Sequence, residues 1–224
     1  MARQSRFHGI LGFGHARRRF FDLSFHQPEP RSSTMRKSLS LLAAAAVLST
    51  AGIAQAAEYA IDPTHTFATF EIGHFGASVN RARFDKKEGK VSFDKAAKTG
   101  MVDISIDMTS VNSGTPMFDK HLQSPDIFDA AKYPKAQFVS SKFVFNGDKV
   151  ASVEGNLTLL GKTQPVTMKA NQFNCYDSPM LKREVCGGDF EATIDRTAFG
   201  ANYGVDWGFP KNVRLVIQVE AVKQ

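Results

Sequence analysis

From Ala57 onward, apolar and polar residues alternate with a period of two. In MVDISIDM, Val102, Ile104, Ile106 and Met108 fall on one side and Asp103, Ser105 and Asp107 on the other. The same alternation recurs in Val153, Gly155, Leu157 and Leu159, in Phe190, Ala192 and Ile194, and in Val213, Leu215, Ile217 and Val219. Successive side chains of a strand point to opposite faces, so this is the pattern of antiparallel strands with one dry and one wet face. Turn signals separate the runs at Lys87-Glu88-Gly89, Lys98-Thr99-Gly100, Asn146-Gly147-Asp148 and Leu160-Gly161-Lys162, and Asn-Gly predicts a tight hairpin. The template yields about eight to ten strands, which fits a sandwich or a barrel. A closed ring leaves no unpaired edge, so the predicted fold is all-β: a closed antiparallel barrel of about eight strands.

One stretch breaks the alternation. Residues 118 to 134 read FDKHLQSPDIFDAAKYP. Ser124, Pro125 and Asp126 form a helix-start signal, combining a capping hydroxyl, a ring pre-set at helical φ and an acid on the first turn. Leu122, Ile127 and Phe128 give the piece an apolar side, and Tyr133-Pro134 ends it. A short helical cover over one barrel mouth is expected here.

The N-terminal quarter has a different character. From Met35 the chain reads MRKSLSLLAAAAVLSTAGIAQA, with basic residues, an apolar run too short to span a bilayer, and small residues at a cleavage position after Ala56. Residues 35–56 are read as a secretory signal. Residues 1–34 are read as an upstream extension preceding the true start, and residues 57–224 as one exported domain. Arg17, Arg18 and Arg19 lack the directly following apolar segment of a twin-arginine signal.

Charge then changes meaning. The leader holds eight of the 28 Lys and Arg but only two of the 22 Asp and Glu, leaving 20 of each in the domain. The basic excess belongs to the leader, and a nucleic-acid partner loses its electrostatic footprint. Cys175 and Cys186 both lie in the exported part, where an oxidising compartment makes a disulfide their simplest use. No cysteine follows the signal to carry a lipid, and no segment is built to cross a membrane, so a freely dissolved periplasmic product is expected.

Candidate chemistry is sparse. His65, His74 and His121 are the histidines of the domain, and their spacing matches no local metal motif. Asp119 and His121 suggest an acid/base pair, although an i, i+2 spacing directs their side chains apart. A small hydrolase or a zinc enzyme using His65, His74, His121 and Asp119 is therefore the second reading. Phenylalanine dominates the aromatics, which fits either a filled core or a lined tunnel.

Several pieces in fixed order resemble the YceI-like family of exported polyisoprenoid-binding proteins. They are His65-Thr66, Phe70 and His74; Asp119, His121, Leu122 and Ser124, continuing to Phe128, Tyr133-Pro134 and Phe138; GNLTLLGKTQPV from Gly155 to Val166; and Phe190, Arg196 and Phe199-Gly200. Phe118 stands where the family often carries Arg, so a head-group role for that Arg does not transfer. The resemblance implies a lipocalin-like barrel with an apolar tunnel, no catalytic residues, no metal and no cofactor beyond a bound lipid. That lipid would be a long-chain isoprenoid or fatty-acyl-like amphiphile such as a polyprenyl phosphate or an isoprenoid quinone, and a homodimer is compatible with the reading. The strand phase nominates Phe70, Ile72, His74, Phe93, Ile104, Ile106, Phe138, Leu157 and Leu159 as inward contacts, with Leu122 and Phe128 from the cover. A one-residue slip would turn each strand residue outward.

Overall fold

Alternation continues into the chain's pairing. The computed structural model describes residues 56–224; the signal and upstream-extension readings fall on residues 1–55 and this segment's border, outside that description. The strands are β1 (Ala57–Ile61), β2 (Phe67–His74), β3 (Ser78–Phe84), β4 (Lys87–Asp94), β5 (Thr99–Asp107), β6 (Val111–Asn112), β7 (Lys135–Asn146), β8 (Lys149–Leu159), β9 (Lys162–Asp177), β10 (Glu184–Asp195) and β11 (Asn212–Lys223). One helix, α1, spans Pro116–Gln123.

Strands β1, β4, β5, β7, β8, β9, β10 and β11 pair antiparallel in that order, and the pairing of β1 with β11 closes an eight-strand ring. The expected barrel is therefore present, and the sandwich is not. The early strands carry a shared break. β1 pairs with the C-terminal part of β11 (Tyr59 opposite Lys223) and β2 with its N-terminal part (Leu215 opposite Phe70), so both lie along one edge of β11. β3 and β4 continue one another in the same way against β2 and β1. This break explains why more segments than ring positions are found.

The Asn146-Gly147-Asp148 signal forms a two-residue hairpin, with Asn146 opposite Lys149 and Gly147 at φ 60°. Leu160-Gly161 does the same between Leu159 and Lys162. The Lys87-Glu88-Gly89 turn is corrected: all three residues lie inside β4, with Gly89 opposite Ile104. Glycine there serves close approach, since a Cβ would lie 2.6 Å from the carbonyl oxygen of Asp103.

The helix also differs in register from the expected one. It starts at Pro116 behind Thr115, and Ser124 is its C-terminal cap. Thr115-Pro116 carries the same start signal as Ser124-Pro125 but comes first. At the second proline the helix ends, because the ring removes an N–H donor and pushes Ser124 to extended geometry at ψ 163°. Residues 124–134 then run as turns, which still deliver Ile127 and Phe128 to the interior side.

Candidate functional site

Inward side chains of the ring do not meet on the axis. They bound an elongated cavity of about 560 Å³. Phe70, Ile72, His74, Phe93, Ile104, Ile106, Leu122, Phe128, Phe138, Leu157 and Leu159 all line it, so the strand phase read from alternation holds on every one of these strands. Val102, Met108, Val213, Leu215, Ile217 and Val219 line it as well. The cavity is larger than a water-sized void and nearly free of polar groups, the character of a site for an apolar chain.

The two ends differ. At the end bearing the β7–β8 hairpin, Phe93 packs edge-on against Phe173 at 5.2 Å, tilts against Phe143 at 5.6 Å and stacks with Phe145 at 6.3 Å, forming an aromatic floor. Cys175 and Cys186 are directly opposed on β9 and β10 at this end and form the expected disulfide. Nearby, the hydroxyl of Tyr59 donates to Glu184 Oε1 at 2.6 Å. Burial and that carboxylate together push the phenol far above its usual range.

At the opposite end lie α1, the turns after it and the irregular segment from Arg196 to Lys211. His74 packs edge-on against Phe75 at 5.0 Å and Phe209 at 5.3 Å, while Tyr203 packs against His121 at 5.1 Å and Trp207 at 5.3 Å. All six residues line the cavity, with Phe75 57% and Trp207 65% exposed. They form the rim of its mouth. Alternation cannot reveal residues 199–210, which lie outside strands. The available signal was compositional: AFGANYGVDWGF holds four aromatic residues, with Gly200, Gly204 and Gly208 in left-handed geometry.

Few charged groups reach this chamber. Lys87 lines it, but its Nζ donates to the Asp85 carbonyl at 3.3 Å and lies 4.9 Å from the centre of the Phe67 ring. Arg196 lines it too and is 8% exposed. Burial lowers the pKa of both.

The histidines and Asp119 do not converge as an enzyme site would require. His65 is exposed, and its Nδ1 donates to Asp62 Oδ2 at 2.7 Å outside the cavity. His74 and His121 reach the rim through separate aromatic clusters. Asp119 accepts from the Ser113 backbone N–H and hydroxyl, both at 2.6 Å, and does not line the cavity. Among the described residues, no group of three His, Cys, Asp or Glu is placed to hold a metal ion.

A closed antiparallel ring around an apolar chamber, floored at one end and covered by a helix at the other, defines a class of small closed β-barrel with a hollow interior. The chain belongs to the YceI-like family: the YceI-like domain matches residues 59–221. It is 37% identical over 194 residues to Protein YceI of Escherichia coli O157:H7, spanning 85% of this chain and 100% of that protein. Among solved structures it is similar to BcnA of Burkholderia cenocepacia, with 24% identity, TM-score 0.59, and 71% of this chain and 98% of that one covered. It is also similar to a polyisoprenoid binding domain from Saccharophagus degradans, with 15% identity, TM-score 0.55, and coverage of 76% and 100%. At these identities the structural likeness is one of fold.

Proposed function

We propose that the domain encloses the apolar chain of a long isoprenoid or fatty-acyl-like amphiphile, as a carrier or store rather than a catalyst. A polyprenyl phosphate or an isoprenoid quinone has the required chemistry. The observation that carries this reading is the 560 Å³ chamber and its almost wholly apolar lining. Each methylene moved from water into it gains roughly 0.8 kcal/mol, so ten give about 8 kcal/mol before the costs of ordering the chain and losing free motion. The Saccharophagus degradans domain of the same fold is described as polyisoprenoid binding, which agrees with this chemistry. The disulfide and the signal-like residues 35–56 support a periplasmic setting, with cleavage after Ala56. Among the described residues, no helix is long and apolar enough to cross a membrane.

The test is mass spectrometry of organic extracts from protein exported and purified without detergent. A stoichiometric long-chain lipid is the expected result. Protein that carries no lipid and takes up no added twelve-carbon amphiphile overturns the proposal.

A further inference from the structure

Among the described residues, Arg196 is the one charged side chain with a buried polar atom that lacks a hydrogen-bond partner. Its Nε donates to the Pro210 carbonyl at 2.9 Å and its Nη1 to the Ala201 carbonyl at 2.7 Å. Its Nη2 is buried and has no hydrogen-bond partner. No carboxylate lies within 4.0 Å of the guanidinium among the described residues. The neighbouring Asp195 is engaged elsewhere, accepting from the Thr197 backbone N–H and hydroxyl. Backbone carbonyls satisfy donors but bring no net charge, so a buried positive charge and a free N–H remain uncompensated. Structures retain such a group where something else completes it.

Position says what that is. Arg196 follows β10 at the helical end and lines the chamber with Ala201, Tyr203 and His121, opposite to the phenylalanine floor. Lys87, the other cation at the lining, already has the Asp85 carbonyl and the Phe67 ring. We infer that Arg196 anchors the anionic head group of the enclosed amphiphile, a phosphate or carboxylate oxygen accepting from Nη2, so that the head lies at the mouth and the tail runs to the floor. This inference rests on the lipid-enclosing reading above and adds to it a head-group class and an orientation. A guanidinium forms strong charge-assisted hydrogen bonds with either oxyanion.

Dodecyl phosphate, laurate and dodecanol share one chain length and differ only in head group, so their affinities for the exported domain, followed by Trp207 fluorescence, test the inference. Both anions are expected to bind at least about tenfold more tightly than the alcohol, as one charge-assisted hydrogen bond in a buried site provides. Arg196→Met should abolish that preference by weakening the two anions more than the alcohol, and Arg196→Lys should retain part of it. The ratio of phosphate to laurate affinity separates the two head-group sources. Inorganic phosphate alone should not displace dodecyl phosphate; displacement at equal concentration would mean a free-anion site and overturn the anchor. Arg196 also braces Pro210 and Ala201, so the wild-type comparison decides the matter even where Arg196→Met fails to fold. Equal binding of all three amphiphiles by the wild type, or an anion preference that survives Arg196→Met, overturns the anchor and leaves the enclosing function standing. Binding of none overturns the enclosing function itself.

Discussion

Phe138 lies across Gly155: a Cβ on Gly155 would fall 2.7 Å from the Phe138 ring and 2.5 Å from the Val139 carbonyl oxygen. The two residues sit on neighbouring strands β7 and β8, and the missing side chain makes room for an aromatic ring that faces the chamber. Because one of the obstacles is backbone, a new methyl cannot be absorbed by a rotamer change. Gly155→Ala is expected to destabilise the fold by about 1–3 kcal/mol, the usual range for overpacking. Urea denaturation measures this, and a midpoint unchanged from wild type would contradict the close approach.

Phe93 is 4% exposed and touches three other rings, so it is the centre of the floor. Phe93→Ala should cost about 3–5 kcal/mol, as large-to-small core changes do. Phe173→Ala removes a second floor ring that lines the chamber and should shift the preferred amphiphile toward longer chains. A homologous series of alkyl phosphates reads this directly, and an unmoved optimum would place the tail elsewhere.

The Cys175–Cys186 disulfide closes a short loop at the floor end. On the chain-entropy account it contributes roughly 3 kcal/mol. Replacing both cysteines with serine should lower unfolding free energy by about that amount, and adding reductant should reproduce the loss in the wild type but not in the variant.

Asp62 and His65 clasp the break between β1 and β2. Burial alone would raise the Asp62 carboxyl, but hydrogen bonds from His65 and Thr64 outweigh it and hold the pKa at about 2. The hydrogen bond to Asp62 raises His65 above its ordinary 6.5. The histidine's contribution to stability is therefore complete below 6.5 and is lost as pH rises through its raised folded value. The aspartate's is complete above 3.8 and is lost as pH falls through about 2. The clasp is strongest between those limits. NMR titration of His65 should give a midpoint above 6.5 that falls in Asp62→Asn. A wild-type midpoint at or below 6.5 would refute the pairing.

Much of this barrel was legible because a two-residue period is a direct record of which face is dry. Ile104, Ile106, Leu157 and Leu159 follow from that alone. What escaped were features without period. Gly89 looked like a turn because glycine's close-packing role and its turn role leave the same mark in one sequence. Ser124-Pro125 looked like a helix start because the same pair serves as a stop when a helix already precedes it. Tyr203 and Trp207 lie in a segment whose path is set by three left-handed glycines and by packing against His121 and Phe209, none of which a strand template registers.

A chamber plugged by phenylalanine at one end behaves as a bottle, not a pipe. On the proposed reading, an amphiphile that enters tail-first would leave head-first, so loading and unloading would share one doorway and could not overlap in time. Any donor or acceptor would then have to present itself to the same helical face, and the two would compete there. Traffic through such a vessel would be set by whichever partner docks next, with no current running through it.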